Sequence, residues 1–359
     1  MNRSLWTAAL LALFVAPAAA AADGAALRAL LSEHFPADGP GVAVALVSGG
    51  RPLVQACVGM ADVEAGIPID EHSLFDLASV SKQYTAAAIL LLEQEGKVDP
   101  AVAVSEYLPG FAVAPEGRAV TVRDLVWHLS GLPDYTGDDW DGSDEEFIRL
   151  DSAGHVRWIS GHSPRRAPGQ RYEYNNSGYA LLARIVEERS GQSFAQFARE
   201  RLFVRAGMRT AQVLDDHQRR FPKQVRGYTQ DDEGKVVRSE LPSSITGDGN
   251  VYASLADVQA WLVALHAGSV LDETLLARAF DNGRLDNGRP IVTDGQGYGY
   301  GWHIDDEGRV SHSGSWSGTS TYLAFDPASG DGLVVLSNLE SAGAENIGIE
   351  LAKLWAEEP

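Results

Sequence analysis

The chain is poor in cysteine, lysine and long apolar runs, and each shortage narrows what it can be. A single cysteine, Cys57, stands among 359 residues, so no internal disulfide can form. It lies in an apolar, strand-like stretch and reads as a buried structural thiol rather than a reactive one. Only five lysines are present, and acidic residues outnumber Lys and Arg together by 49 to 29, for a formal charge of −20. A nucleic-acid partner calls for a basic face, so that class is excluded. The acidic residues are spread without a long single-sign run, which fits a role in solubility. Beyond the N-terminus no segment approaches about eighteen unbroken apolar residues, so no membrane span is expected. Two catalytic signatures are missing as well. Gly161-His162-Ser163-Pro164-Arg165 begins like a Gly-x-Ser-x-Gly elbow but ends in arginine, and none of the nine histidines falls into His-Glu-x-x-His or another short zinc pattern.

What is present begins with an address. Arg3 precedes the apolar run Leu5 to Pro17 and an alanine-rich stretch, Ala18 to Ala22, with several small-x-small cleavage options. That is the pattern of a secretory signal peptide over residues 1–22, and it predicts cleavage near Ala20 to Ala22 and a periplasmic or secreted protein. The remainder, 23–359, has apolar and charged contents of 45% and 22% that are ordinary for a soluble globule.

Leu27, Leu30 and Leu31 recur at helical spacing within Ala25 to Phe35. Gly41 to Val47, the turn Ser48-Gly49-Gly50, and Pro52 to Val58 predict an antiparallel hairpin. A helix is expected from Ser79 to Glu95, capped by Gly96. Asp134 to Gly169 reads as loops with short helices, and 193 to 280 as mostly helical. From Tyr298 the period turns strand-like: Gly299 to Ile304, Arg309 to Ser313, Thr319 to Phe325 and Leu333 to Leu336, followed by a helix from Glu345 to Trp355. Strands at both ends and helices between them imply an α+β fold. Its antiparallel sheet lobe would come from about 23–75 and 290–359, with terminal helices covering it, and the helical lobe from 76–289 would be inserted.

The stretch Leu77-Ala78-Ser79-Val80-Ser81-Lys82 carries the chemistry. Residues three apart on a helix share a face, so the Ser79 hydroxyl and Lys82 amine would sit together as nucleophile and base. A lysine can serve so only if burial or nearby positive charge lowers its pKa. Taken alone, Ser-x-x-Lys is equally an N-cap serine with an exposed lysine one turn on. Two further stretches shift the balance. Tyr174-x-Asn176 stands at a loop before a helix, and His312-Ser313-Gly314-Ser315 lies on an expected strand. His128, by contrast, reads as a packing or hydrogen-bonding residue.

In order, these stretches resemble the serine β-lactamase and penicillin-binding protein superfamily, in its class C β-lactamase-like branch, which also holds DD-carboxypeptidases, D-aminopeptidases and carboxylesterases. The resemblance runs from about Gly41 to Asn338. It includes Phe75 to Lys82, Glu95 to Val98, Val126-Trp127-His128-Leu129-Ser130-Gly131-Leu132-Pro133, Pro168-Gly169, Tyr174 to Asn176, Ser254 to Asp257, His312 to Gly314, and Leu336-Ser337-Asn338. It implies Ser79 as the acyl-accepting nucleophile, Lys82 as its proton acceptor, Tyr174 as relay to the leaving group, and Asn176 as the residue holding Lys82 and the substrate amide. His312-Ser313-Gly314 would stand for the usual Lys-Thr-Gly, with His312 at the site and Ser313 and Gly314 binding substrate. The N–H groups of Ser79 and Ser315 would form an oxyanion hole. No metal or organic cofactor is implied.

The departure at His312 replaces a fixed positive charge with a group only partly charged near neutrality, which argues against potent β-lactamase activity. The expectation is therefore an exported serine hydrolase acting through an acyl-enzyme on a small ester, amide or short peptide. A D-Ala-D-Ala carboxypeptidase, a β-lactamase and a non-hydrolytic penicillin-binding-like sensor remain as alternatives.

Overall fold

The computed structural model describes residues 17–111, 113, 117–136 and 149–356. The expected leader therefore lies mostly outside the described residues, and its last part, 17–22, begins a helix. A seven-stranded antiparallel sheet draws on both ends of the chain. Its strands are β1 (Val42–Ser48), β2 (Arg51–Val58), β3 (Gly297–Tyr298), β4 (His303–Ile304), β5 (Val310–Trp316), β6 (Thr319–Asp326) and β7 (Asp331–Ser337). Their spatial order is β3-β4-β5-β6-β7-β1-β2, so the N-terminal hairpin joins the C-terminal meander where β1 pairs with β7, Val42 opposite Ser337.

Five helices carry the packing: α1 (Pro17–Ser32), α2 (Lys82–Gln94), α3 (Asn176–Ser190), α4 (Leu255–His266) and α5 (Ala344–Ala356). Successive side chains on a strand point to opposite faces, and β1 uses both. Val42, Val44 and Leu46 meet Leu27, Leu30 and Leu31 of α1 and Leu351 of α5 in one core. Ala43, Ala45 and Val47 join the other core with Trp261, Leu262 and Leu265 of α4. Full burial of each such leucine stabilises by roughly 1.5–3 kcal/mol, so both faces hold the sheet in place. Helix α2 stands inside the helical part, with Lys82 through Leu92 all buried. The α+β class, the flanking terminal helices and the inserted helical part are as expected from the sequence. No helix among the described residues is long and apolar enough to cross a membrane.

Two sequence expectations are corrected. Residues 193–280 are not mostly helical: between a helical stretch ending at Ala206 and α4 lie short strands at Gln212–Val213, Tyr228–Gln230, Val236–Arg238 and Val251–Ala253. Val251–Ala253 pairs with Phe75–Asp76 and Gln212–Val213 in a small second sheet, so tertiary pairing decides this region. Gly299 to Ile304 is not one strand either. The chain turns between β3 and β4, where Gly299 N donates to Trp302 O at 2.8 Å.

Candidate active site

Ser79 sits in a 3₁₀ turn, Ala78–Ser81, that runs directly into α2. The turn is held from three sides. Asp76 Oδ1 accepts from Ala78 N at 2.9 Å, and Leu77 N donates to Val251 O at 2.9 Å. From β6, Thr319 Oγ1 donates to Asp76 O at 3.0 Å and Thr321 Oγ1 to Leu77 O at 2.8 Å. Ala78 has φ 46°, a conformation costing a non-glycine residue about 1–3 kcal/mol that these bonds offset. Burial pushes the Asp76 carboxyl up to about 6, although the Ala78 N–H and Tyr252 oppose the rise.

The Lys82 side chain is fully buried and makes three hydrogen bonds. Its Nζ lies 3.1 Å from Ser79 Oγ, 2.7 Å from Asn176 Oδ1 and 2.8 Å from the carbonyl of Asp248. Desolvation lowers its pKa to about 8, against the pull of Asp248 and Asp134. Two of its partners can only accept. A neutral amine would spend both N–H bonds on them and turn its lone pair to Ser79, the arrangement needed to take the hydroxyl proton.

Asn176 is delivered by the start of α3. Asn175 caps that helix, its Oδ1 accepting from Gly178 N at 2.7 Å, and its own N–H donates to His128 Nδ1 at 3.0 Å. His128 is thus a buried hydrogen-bonding residue, as its sequence context suggested. The Asn176 amide is fixed on its other side by Thr136 Oγ1 at 2.7 Å, and Asp134 Oδ2 accepts from its backbone N–H at 2.8 Å.

The Tyr174 ring lies over Lys82 Nζ, 4.8 Å from centroid to nitrogen. Its hydroxyl is buried and makes no closed hydrogen bond. Burial drives its pKa well up, opposed by a looser polar contact with Ser79. His312 is also buried, with Nδ1 2.6 Å from Ser313 O and Nε2 3.2 Å from Tyr298 Oη. A carbonyl only accepts, so Nδ1 carries the proton and Nε2 is left to accept. Desolvation, with His303 and Lys82 nearby, holds its pKa well below the usual histidine value, so the ring is neutral.

Two glycines let backbone meet backbone here. A Cβ on Gly314 would lie 2.5 Å from Leu77 O and 3.1 Å from Ser79 N, so β5 packs directly on the Ser79 turn. Gly301, at φ 79°, would bring a Cβ within 2.8 Å of Gln83 N, which explains why the expected strand breaks into a turn.

Ser79, Tyr174, Asn176, His312, Ser313 and Ser315 all line one cleft of about 370 Å³, with Lys82 and Gly314 immediately behind it. Arg309, whose direction was open in the sequence, faces Asp305 and Glu307 instead. Three residues that the sequence did not single out belong to the site. Asp134 braces Asn176, and Tyr135 donates to Asp248 Oδ2, while Asp248 takes Lys82 on its carbonyl. Asp248 stands between Gly247 and Gly249, the faint local sign of a close backbone approach.

The family model described as Beta-lactamase matches residues 29–354. The chain is 34% identical over 318 residues to penicillin-binding protein 4* of Bacillus subtilis, covering 83% of this chain and 68% of that one. It is 32% identical over 241 residues to the D-aminopeptidase of Brucella anthropi, covering 64% of this chain and 43% of that one. The solved penicillin-binding protein of Bacillus halodurans superposes with a TM-score of 0.78 at 27% identity, covering 91% of this chain and 98% of the other.

Proposed function

Because the chain belongs to the beta-lactamase family, we propose that it is an exported serine hydrolase that forms an acyl-enzyme on Ser79 from an ester or amide substrate. One observation carries the reading: buried Lys82 Nζ meets Ser79 Oγ and two pure acceptors, and desolvation lowers its pKa to about 8. In this mechanism Lys82 takes the Ser79 proton as Oγ bonds to the scissile carbonyl carbon. The N–H groups of Ser79 and Ser315 receive the oxyanion, which in other hydrolases is worth about 3–4 kcal/mol per donor. The carbon–leaving-group bond then breaks, Tyr174 passing a proton to the departing oxygen or nitrogen, and water releases the acyl group by the reverse relay. Asn176 keeps Lys82 aimed throughout. Export rests on the apolar leader of residues 1–22.

Among the described residues lining the cleft none is arginine or lysine, and His312 is neutral. That favours esters and uncharged amides over β-lactams or D-Ala-D-Ala peptides, whose carboxylates would find no fixed cation. The Bacillus subtilis relative is named for binding penicillin, and a second reading is a penicillin-binding sensor that acylates without turnover. Labelling the protein with a fluorescent penicillin and a fluorophosphonate, beside Ser79→Ala, and assaying p-nitrophenyl esters and D-alanyl peptides separates them. Ser79-dependent turnover supports the hydrolase, and label without turnover supports the sensor. Reaction that survives Ser79→Ala means that the nucleophile is misassigned.

A further inference from the structure

A second cavity of about 330 Å³ adjoins the catalytic cleft, and Trp316 lines both. The indole is pinned there by Leu241, whose carbonyl accepts from Nε1 at 3.0 Å. Leu214, Val225, Leu241 and Tyr252 give the cavity apolar walls, and Arg219 lines it as well. Apolar walls with a placed charge are the ordinary form of a ligand pocket, and the mechanism leaves this one unused. Strand β5 sets which part of a substrate would reach it. In the proposed mechanism the leaving group departs towards Tyr174, whose ring stands 6.1 Å from that of His312. From His312, β5 runs past the oxyanion donor Ser315 to its last residue, Trp316. The acyl part therefore points along β5 towards Trp316 and the second cavity.

The charges there favour an acid. Among the described lining residues the carboxylates are Asp76 and Glu240. Asp76 is bonded to the Ala78 N–H, and Glu240 is engaged by Arg220 Nη1 at 3.1 Å. Arg220 also donates from Nη2 to the carbonyls of Gln224 and Val225, at 3.2 and 2.9 Å, so it is committed to the wall itself. Arg219 is different. Its guanidinium stacks on Phe221, 4.9 Å from the ring centroid, and its nearest carboxylate, Asp215, stands 3.7 Å away. Of its five N–H donors, one makes a bond within the protein, to Val213 O at 3.5 Å.

The geometry points to the second cavity as an acyl subsite that takes an aliphatic chain tipped by a carboxylate, with Arg219 receiving the carboxylate at the far end. This rests on the serine-hydrolase reading and narrows it to half-esters or half-amides of dicarboxylic acids. The methylenes would cover Trp316, Leu214 and Val225, and the carboxylate would take the unused donors of the guanidinium fork. A carboxylate on the leaving group stays disfavoured, since that end of β5 holds the neutral His312.

Mono-p-nitrophenyl esters of adipic, suberic and sebacic acids, each beside the same ester with its free carboxyl methylated, test this on the purified full chain at low salt. At the length that spans the two cavities, and after subtraction of the uncatalysed rate, the acid should exceed its methyl ester in kcat/KM by about tenfold. That is the low end for a hydrogen bond to a charged group, because Arg219 is about half exposed. High salt should shrink the ratio. In Arg219→Gln, whatever its absolute rate, the ratio should fall to about twofold or less, since the guanidinium charge is gone. Where the acyl-enzyme forms without turnover, the burst of nitrophenolate gives the same comparison. Equal or inverted ratios at all three lengths in the unaltered protein overturn the subsite without reference to any variant. An unchanged ratio in folded Arg219→Gln overturns the assignment to that residue. p-Nitrophenyl acetate controls for the reaction itself: nitrophenolate release that is absent, or indifferent to Ser79→Ala, sinks the hydrolase reading first and the subsite with it.

Discussion

The phenol of Tyr298 lies 3.2 Å from Nε2 of His312, so the buried imidazole has a polar partner on its second nitrogen too. With Nδ1 2.6 Å from the Ser313 carbonyl, both nitrogens are engaged and the Nδ1–H tautomer is fixed. Protonating Nε2 would need Tyr298 to rotate its hydroxyl proton away, inside a site that desolvates charge. Burial first, then His303 and Lys82 nearby, hold the pKa well below the ordinary value of about 6.5, against the Ser313 bond.

The first prediction follows from that burial. In ¹⁵N-resolved spectra the His312 ring should show the neutral Nδ1–H pattern from pH 8 down to pH 5, and kcat/KM should have no limb near pH 6.5 assignable to it. A His312 titration midway through that range would mean that the ring is charged at work.

The dominant acid limb should come from Lys82. Its catalytic form is neutral, so kcat/KM on an uncharged ester should climb as pH rises and level off above about 8. Burial raises the Asp248 pKa, but charge on this carboxyl in turn holds the lysine pKa up, so Asp248→Asn should move the limb to lower pH. A limb that moves upward, or does not move, would show that Lys82 does not feel this carboxylate.

How far the sequence foretold these features depends on whether a feature is local. Alternation in Val42 to Val47 and the spacing of Leu27, Leu30 and Leu31 record burial periodicity, so the sheet and α1 could be read directly. Ser79, Lys82, Tyr174, Asn176 and His312 were legible as an ordered set of motifs. Gly299 to Ile304 was misread as a strand because the reason for its turn, contact of Gly301 with Lys82 and Gln83, lies some 220 positions away in the chain. Asp248 was missed for the same reason. Its importance arises from meeting Lys82 across 166 positions, and nothing in Gly247-Asp248-Gly249 alone separates it from a surface turn.

Tyr174→Phe should separate stability from catalysis. The hydroxyl is buried without a closed hydrogen bond, so deleting it removes an unsatisfied polar group rather than a bond. The melting temperature should stay level or rise, while kcat falls roughly 10²- to 10⁴-fold through loss of the proton relay. A variant that melts earlier but keeps its kcat would remove Tyr174 from the mechanism.

Cys57 lies on β2 opposite Ala43, and burial pushes its thiol up to about 11. The thiolate is the reactive form, so the native protein at pH 8 should resist iodoacetamide and accept one alkylation only after denaturation. Rapid native labelling would show that the strand opens, or that the thiol is not enclosed in the core that Ala43 shares with α4.

Gly314→Ala tests how closely the sheet supports the nucleophile. The new methyl would meet Leu77 O at 2.5 Å and Ser79 N at 3.1 Å, and also Thr321 Oγ1, the hydroxyl that holds Leu77. Two of these are backbone atoms in a turn already strained at Ala78, so the clash cannot be relieved by a rotamer change. Overpacking of this kind costs about 1–3 kcal/mol, and the turn would have to lift from β5 to accept it. The variant should therefore melt several degrees lower and lose fluorophosphonate labelling of Ser79 out of proportion to its loss of folded protein. Equivalent labelling in folded Gly314→Ala would mean that the Ser79 turn does not depend on β5 for its geometry.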